Sequence, residues 1–214
     1  TLVTLNDRDG RWAQLGTVAN VNAGGFAGAQ LSSAFNFTGG ELRGGQLATL
    51  NVAGRLRGVQ VGAFNVAGDA SGLQLGLVNV AREHHGVPVG LVNLADDGRV
   101  DLLAYATNVA LANLAVRTVV GPWRSTLTAG WYEVDAVETS TGALAWHFGR
   151  RLWGDARRSL GVDVGLVHLI PEDAGEAGAP RLHPSWQVRL TGEVMLGERW
   201  GLHGAVGLET TGEA

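Results

Sequence analysis

His84 and His85 stand side by side next to Glu83, and imidazoles with a carboxylate are a donor set that holds zinc. Neighbouring residues of an extended chain point to opposite sides, and the sister copies of this segment lack both histidines. A solvated turn therefore explains them, and no metal is expected. His147, His168, His183 and His203 are scattered, with none of the spacing of a helical zinc motif. Asp163, Arg189 and Glu193 occupy the polar positions of alternating segments, where carboxylates inside a barrel lumen would do acid–base work. A polar lumen lining needs no catalysis to explain it. No nucleophile elbow, phosphate loop or dinucleotide fingerprint stands in strand-to-helix context. The expectation is a protein that is not an enzyme, with no catalytic residues and no cofactor.

The most ordered chemistry is amide chemistry. Gly58-Val-Gln-Val-Gly-Ala-Phe-Asn-Val-Ala is followed by Gly72-Leu-Gln-Leu-Gly-Leu-Val-Asn-Val-Ala and Gly86-Val-Pro-Val-Gly-Leu-Val-Asn-Leu-Ala, with starts 14 residues apart. An earlier copy begins at Gly44, and looser ones carry Gln30 with Asn36 and Gln14 with Asn20. Asn51, Asn65, Asn79 and Asn93 thus recur in one frame, as do Gln46, Gln60 and Gln74, and Pro88 takes the next Gln position. Such amides either offer a surface to a sugar or an ice-like lattice, or stack as ladders that support the backbone.

Each triplet around Gln or Asn alternates with the period of a strand. Gly68-Asp-Ala-Ser71, Arg82-Glu-His-His85 and Asp96-Asp-Gly-Arg99 read as turns. Two architectures accept this unit. One is an antiparallel meander, with Gly62, Gly76 and Gly90 at bulges. The other is a β-solenoid of 14-residue coils whose Asn residues stack as a ladder. Identical residues in identical places favour the solenoid; Pro88 and the 15- and 16-residue spacings upstream count against a strict one.

Beyond residue 100 the pattern changes to longer alternating runs. Trp186, Val188, Leu190 and Val194 share one face and Gln187, Arg189, Thr191 and Glu193 the other; Leu160, Val162, Val164 and Leu166 alternate with Ser159, Gly161, Asp163 and Gly165. Short connections at 121–122, 154–158 and 197–199 alternate with longer ones at 135–142 and 171–184, the loop pattern of an outer-membrane barrel. Trp123, Trp153 and Trp200 adjoin the short turns, and Trp131, Tyr132 and Trp186 lie toward the long loops, as two membrane-interface belts would require. Filling of a soluble β-core is the rival explanation of these rings. Arg150, Arg151, Arg157 and Arg158 bracket one short turn, where they are solvated or touch anionic lipid head groups. Asp101 to Arg117 is Ala- and Leu-rich and has helical potential, but two strands broken near Asn108 are preferred.

Composition narrows the classes. Gly accounts for 33 of 214 residues and Cys for none, which excludes a disulfide scaffold and thiolate chemistry. All 16 basic residues are Arg, against 20 acids, so no basic face is available for a phosphate backbone and nucleic acid is not expected as a partner. No apolar run reaches the length of a membrane helix, which leaves a membrane β-barrel open. The chain opens on Thr1-Leu2-Val3-Thr4, without a basic n-region or apolar h-region, and reads as a mature or excised segment.

In Gly72-Leu-Gln-Leu-Gly-Leu-Val-Asn-Val-Ala and Gly86-Val-Pro-Val-Gly-Leu-Val-Asn-Leu-Ala the chain resembles a family of bacterial surface-repeat proteins with tandem Gly-Leu-Gln-x-Gly-Leu-x-Asn units. Asn113-Leu-Ala-Val-Arg-Thr118 and Leu127-Thr-Ala-Gly130 look like that family's junction into a β-rich second half. The resemblance implies an exported envelope protein of a Gram-negative bacterium, at the outer membrane or cell surface, with outer-membrane lipid as a partner. It carries no catalytic residue. The combined expectation is all-β: residues 1–98 a repeat-strand region and 99–214 a hairpin region, together one domain. The preferred form is a meander closing as an outer-membrane barrel of about 14 strands. A β-solenoid followed by an antiparallel β-domain is the alternative.

Overall fold

The computed structural model describes residues 1–107, 110–134, 139–171 and 184–210. Asn108, His183 and the central parts of the two long loops lie outside the described residues, as does the Tyr132 side chain. All described elements are strands. One sheet holds β1 (Val3–Asn6), β2 (Gly10–Leu15), β3 (Ala19–Asn22), β4 (Phe26–Leu31), β5 (Phe35–Leu47), β6 (Leu50–Val61), β7 (Phe64–Ala70), β8 (Leu73–His84) and β9 (Val87–Ala95). The other holds β10 (Arg99–Tyr105), β11 (Ala110–Val120), β12 (Trp123–Val134), β13 (Thr139–Gly154), β14 (Arg158–Pro171), β15 (Ser185–Met195) and β16 (Gly201–Thr210). The chain divides into two compact units, Thr1–Arg99 with Thr118–Gly121, and Val100–Arg117 with Pro122–Ala214.

In the first unit every pairing is parallel, and each rung lies on the one before in the repeat frame. Asn51 faces Asn65, Asn65 faces Asn79, and Asn79 faces Asn93; Gln46 faces Gln60, and Gln60 faces Gln74. The unit is a β-solenoid. The preferred expectation of a meander continuing into a closed barrel of about 14 strands is corrected here. An antiparallel neighbour would run each unit backwards and set Asn against unlike residues, whereas parallel rungs about 4.8 Å apart bring each amide to its own copy. The longer spacings upstream are absorbed locally, for example by the irregularity between Thr38 and Glu41 where β5 pairs with β6.

Two of the expected turns are also corrected. Asp69 and Ala70 pair with Glu83 and His84, so these tetrapeptides are strands along a third side of each rung. The segment after Ala95 does turn, with the Gly98 N–H donating to the Ala95 carbonyl (2.9 Å). Glycine sets how closely the rungs approach at one corner. Gly44 and Gly58 have φ of 136° and 156°, and a Cβ on Gly58 would lie 1.9 Å from the Gly44 carbonyl oxygen. No other residue fits there.

The solenoid core is narrow and mixed. Phe26, Leu42, Leu56, Ala70 and His84 stack in one inward column, and Ala53, Ala67 and Ala81 in another. The amides fill the remainder.

In the second unit β12 to β16 form an antiparallel meander in which each strand pairs with the next. Strands flank Asn108 at β10 and β11, so a helix over Asp101 to Arg117 is excluded. Among the described residues β10 and β16 are not paired with each other, and the sheet stays open. Its two faces differ sharply. Leu102, Leu114, Leu160, Val164, Val188, Leu190 and Val206 are exposed on one, while Arg117, Arg124, His147, Asp163 and Thr191 are buried on the other. The sheet curls around its polar face, because side chains from strands far apart in order meet there.

Candidate functional site

The alternation of β11, β12, β14 and β15 sends one side chain in two to the inner face, and these inner residues are the charged ones. Arg124 on β12 donates through Nε to Asp163 Oδ1 on β14 (2.7 Å) and through Nη2 to Thr191 on β15. Arg189 Nη2 on β15 lies 3.4 Å from the second oxygen of Asp163. Arg117 on β11 pairs with Glu193 on β15 and donates through Nε to Thr126 (3.2 Å). Glu193 also has Arg124 Nη1 at 3.8 Å, His203 Nδ1 at 3.6 Å and Ser159 Oγ at 3.5 Å.

The cluster extends toward both edges of the sheet. Tyr105 on β10 is edge-on to His203 on β16, with ring centroids 6.5 Å apart, and its hydroxyl lies 3.0 Å from Thr128 Oγ1. His147 Nε2 is 2.9 Å from Gln187 Oε1, and Gln187 Nε2 donates to Glu209 (2.9 Å). Asp163, Arg189 and Glu193, singled out from the sequence, are thus brought together. Arg117, Arg124, His147 and His203 were not recognised as their companions. Reading the polar residues between Leu114, Val116, Trp123 and Leu127 as one inward set would have found the two arginines.

Most of this network is paired within itself, while the buried His147 Nδ1 and Arg189 Nε have no hydrogen-bond partner. Asp163 is almost fully buried and clamped by two guanidinium groups, and the Glu193 side chain is largely covered. Buried ions are tolerated only when paired in this way. The arrangement packs and orients strands, as a polar lumen filling does.

The repeat amides form two inward ladders. Nδ2 of Asn20, Asn36, Asn51, Asn65 and Asn79 each donates to Oδ1 of the Asn on the following rung, at 2.8–3.1 Å. Asn51 and Asn65 also donate to the backbone carbonyls of Val61 and Leu75. The glutamines run the opposite way: Gln46, Gln60 and Gln74 each donate to the preceding rung, at 2.8–2.9 Å. All these side chains are buried. They cannot be a surface for a sugar or an ice-like lattice, and that possibility is corrected.

His84 and His85 point to opposite sides. His84 is buried in the solenoid, and its Nδ1 accepts from the Gly86 N–H (3.2 Å). Burial, and then the neighbouring His85, push its pKa below the usual imidazole range. His85 is exposed, 3.6 Å from Glu83. No group of three metal-binding side chains occurs among the described residues. On the solenoid's outer side Glu41 is ringed by Arg43, Arg55 at 3.3 Å and Arg57 at 3.4 Å. The Arg43 hydrogen bond is the main reason its carboxyl sits below the usual carboxylate range.

The aromatic residues lie at the ends of the curled sheet. Trp123, Trp153 and Trp200 fall at the end with short turns, and Trp131 and Trp186 toward the other. Trp123 stacks on Phe148 at 5.4 Å, and the Arg150 guanidinium lies 5.3 Å from the Trp123 ring. Trp131, Trp153, Trp186 and Trp200 are exposed on the apolar side. In comparisons with family models, curated proteins and solved structures, the chain matches none of them.

Proposed function

We propose that this chain is a non-enzymatic module of the bacterial cell envelope, surface-exposed or periplasmic, in which the β-solenoid serves as a structural or adhesive element. The observation that carries this reading is the asparagine ladder, hydrogen-bonded from rung to rung between Asn20 and Asn93. Fully partnered buried amides make a stiff unit whose stability grows rung by rung. The envelope address follows from the resemblance of the repeats. The test is the behaviour of the purified chain in plain buffer. A monodisperse species with strand circular dichroism and a cooperative thermal transition supports the module, and a chain that folds only in detergent sinks it.

A second reading, residence of the curled sheet in an outer membrane, is favoured by one observation: the sheet buries its ions and exposes its aliphatic residues. Trp123 and Trp131 are eight residues apart on β12, about 20 Å along the membrane normal for a strand tilted by about 40°. That approaches the apolar band of roughly 25 Å on outer-membrane barrels. Detergent-dependent folding with a heat-modifiable gel band would select this reading over the first.

A further inference from the structure

The solenoid carries its amides inside and its aliphatic side chains outside. Each rung has three sides. On the first, the residues flanking the buried glutamines point outward, and Leu15, Leu31, Leu47, Val61, Leu75 and Val89 lie in register from rung to rung. On the second, the residues flanking the buried asparagines do the same, in Phe35, Leu50, Phe64, Val78 and Val92. A further row runs beside each, from Ala29 to Val87 and from Phe37 to Leu94. Every residue of the four rows is Gly, Ala, Val, Leu or Phe. Leu47, Phe64, Leu75 and Leu94 are exposed. On the third side Glu41, Arg55, Asp69 and Glu83 lie in register and Arg43 lies beside Arg57, so three arginines balance three acids.

What covers the two apolar sides follows from what they lack and from their shape. Protein–protein interfaces carry about one hydrogen bond per 100–200 Å². These rows offer no side-chain donor or acceptor. Rung-to-rung pairing uses the strand backbone and the ladders use the amides, the condition a chain must meet to lie against hydrocarbon. Rungs about 4.8 Å apart make each side roughly 30 Å long and roughly 10 Å wide. That is roughly 300 Å², well short of the about 800 Å² per partner of a stable dimer. The two sides enclose one core, since Gln60 Nε2 on the first donates to the Val66 carbonyl on the second (3.2 Å). Their outward rows therefore face different ways around a corner that itself exposes Leu77. A second copy laid flat on one side leaves the other bare, whereas a fluid phase covers both.

We propose that the solenoid docks on a phospholipid bilayer, with its two apolar sides sunk as a wedge into the acyl boundary and its charged side kept in water. This rests on the reading of the solenoid as an adhesive element and names what it adheres to. Burial of aliphatic side chains drives the docking, and the charged side is balanced. Docking therefore needs neither anionic lipid nor low salt.

Site-specific labels test it. The chain has no cysteine, so Leu47→Cys, Phe64→Cys and Ser71→Cys, made one at a time, each carry a single fluorophore on the first, second and third side. Phosphatidylcholine vesicles with brominated acyl chains should quench the labels at 47 and 64 about fivefold more than the label at 71, equally at about 0.05 M and about 0.5 M NaCl. Equal quenching at all three positions, or none at 47 and 64, overturns the proposal. So does shielding of 47 and 64 that grows with protein concentration and not with lipid, the mark of a second copy. In the chain labelled at 47, Leu31→Glu with Leu75→Glu, exposed neighbours in the same row, should cut the quenching by about tenfold, and Glu83→Gln should leave it unchanged. Undiminished quenching in the Leu31→Glu, Leu75→Glu chain overturns it. The thermal transition in plain buffer, recorded before lipid is added, tests the module itself. A chain that folds there and ignores vesicles ends this inference alone. A chain that folds only in detergent ends the module, and the same three labels, read after reconstitution into the brominated vesicles, still decide where the solenoid meets lipid.

Discussion

Arg117 on β11 and Glu193 on β15 form an ion pair across the inside of a single open sheet, although they stand four strands apart, about 19 Å in a flat sheet; the curl makes them neighbours. Removing one partner strands the other charge in a buried site. Arg117→Met or Glu193→Gln should each cost about 3–5 kcal/mol in urea unfolding. Arg117→Met combined with Glu193→Gln should cost well under the sum of the two single losses, and full additivity would contradict the coupling.

Asn65 stands mid-ladder, accepting from Asn51 and donating to Asn79 and to the Leu75 carbonyl. Asn65→Leu removes three buried hydrogen bonds and leaves Asn79 Oδ1 without its donor, while Asn51 keeps the Val61 carbonyl and the Leu75 carbonyl keeps the Gly62 N–H. A loss of about 3 kcal/mol or more is expected from denaturant titration, against well under 1 kcal/mol for a solvent-facing change such as Arg57→Gln.

Gln74 Oε1 is buried without a partner, because the residue on the next rung is Pro88. Val87 N–H donates back to Gly72, so by strand alternation the nitrogen of residue 88 faces away from β8, and proline sacrifices no bond there. Pro88→Gln should extend the ladder and stabilise the chain by about 1 kcal/mol, seen as a rise of about 2–4 °C in Tm. An unchanged or lowered Tm would show that the orphan oxygen carries no cost.

His84 continues the column of Phe26, Leu42 and Leu56, and its Nε2 is buried without a partner. Burial lowers its pKa in the folded chain, so the unfolded chain takes up the proton first as pH falls. The stability it permits is complete above the ordinary value of 6.5 and is lost as pH drops below that value toward the folded pKa. His84→Leu should add about 1–2 kcal/mol at neutral pH and flatten the decline between pH 7.5 and 5.5, measured by denaturant midpoints.

The period-two alternation of apolar and polar residues determined that this chain is made of strands, and the 14-residue spacing determined that Asn51, Asn65, Asn79 and Asn93 occupy equivalent places. The polar residues that became the ion cluster were legible for the same reason, as the second face of each strand. Alternation is identical for parallel and antiparallel neighbours and for an outward or inward apolar face, so it left open which way the repeats stack. Stacking was decided by amides that bond well only to their own copies, and it turned Asp69 and Glu83 from turn residues into paired strand residues. The meeting of Arg117 with Glu193, and of Tyr105 with His203, belongs to the tertiary structure alone. Curvature is a sum of small twists over many strands, and no short stretch of residues encodes which distant side chains it will bring together.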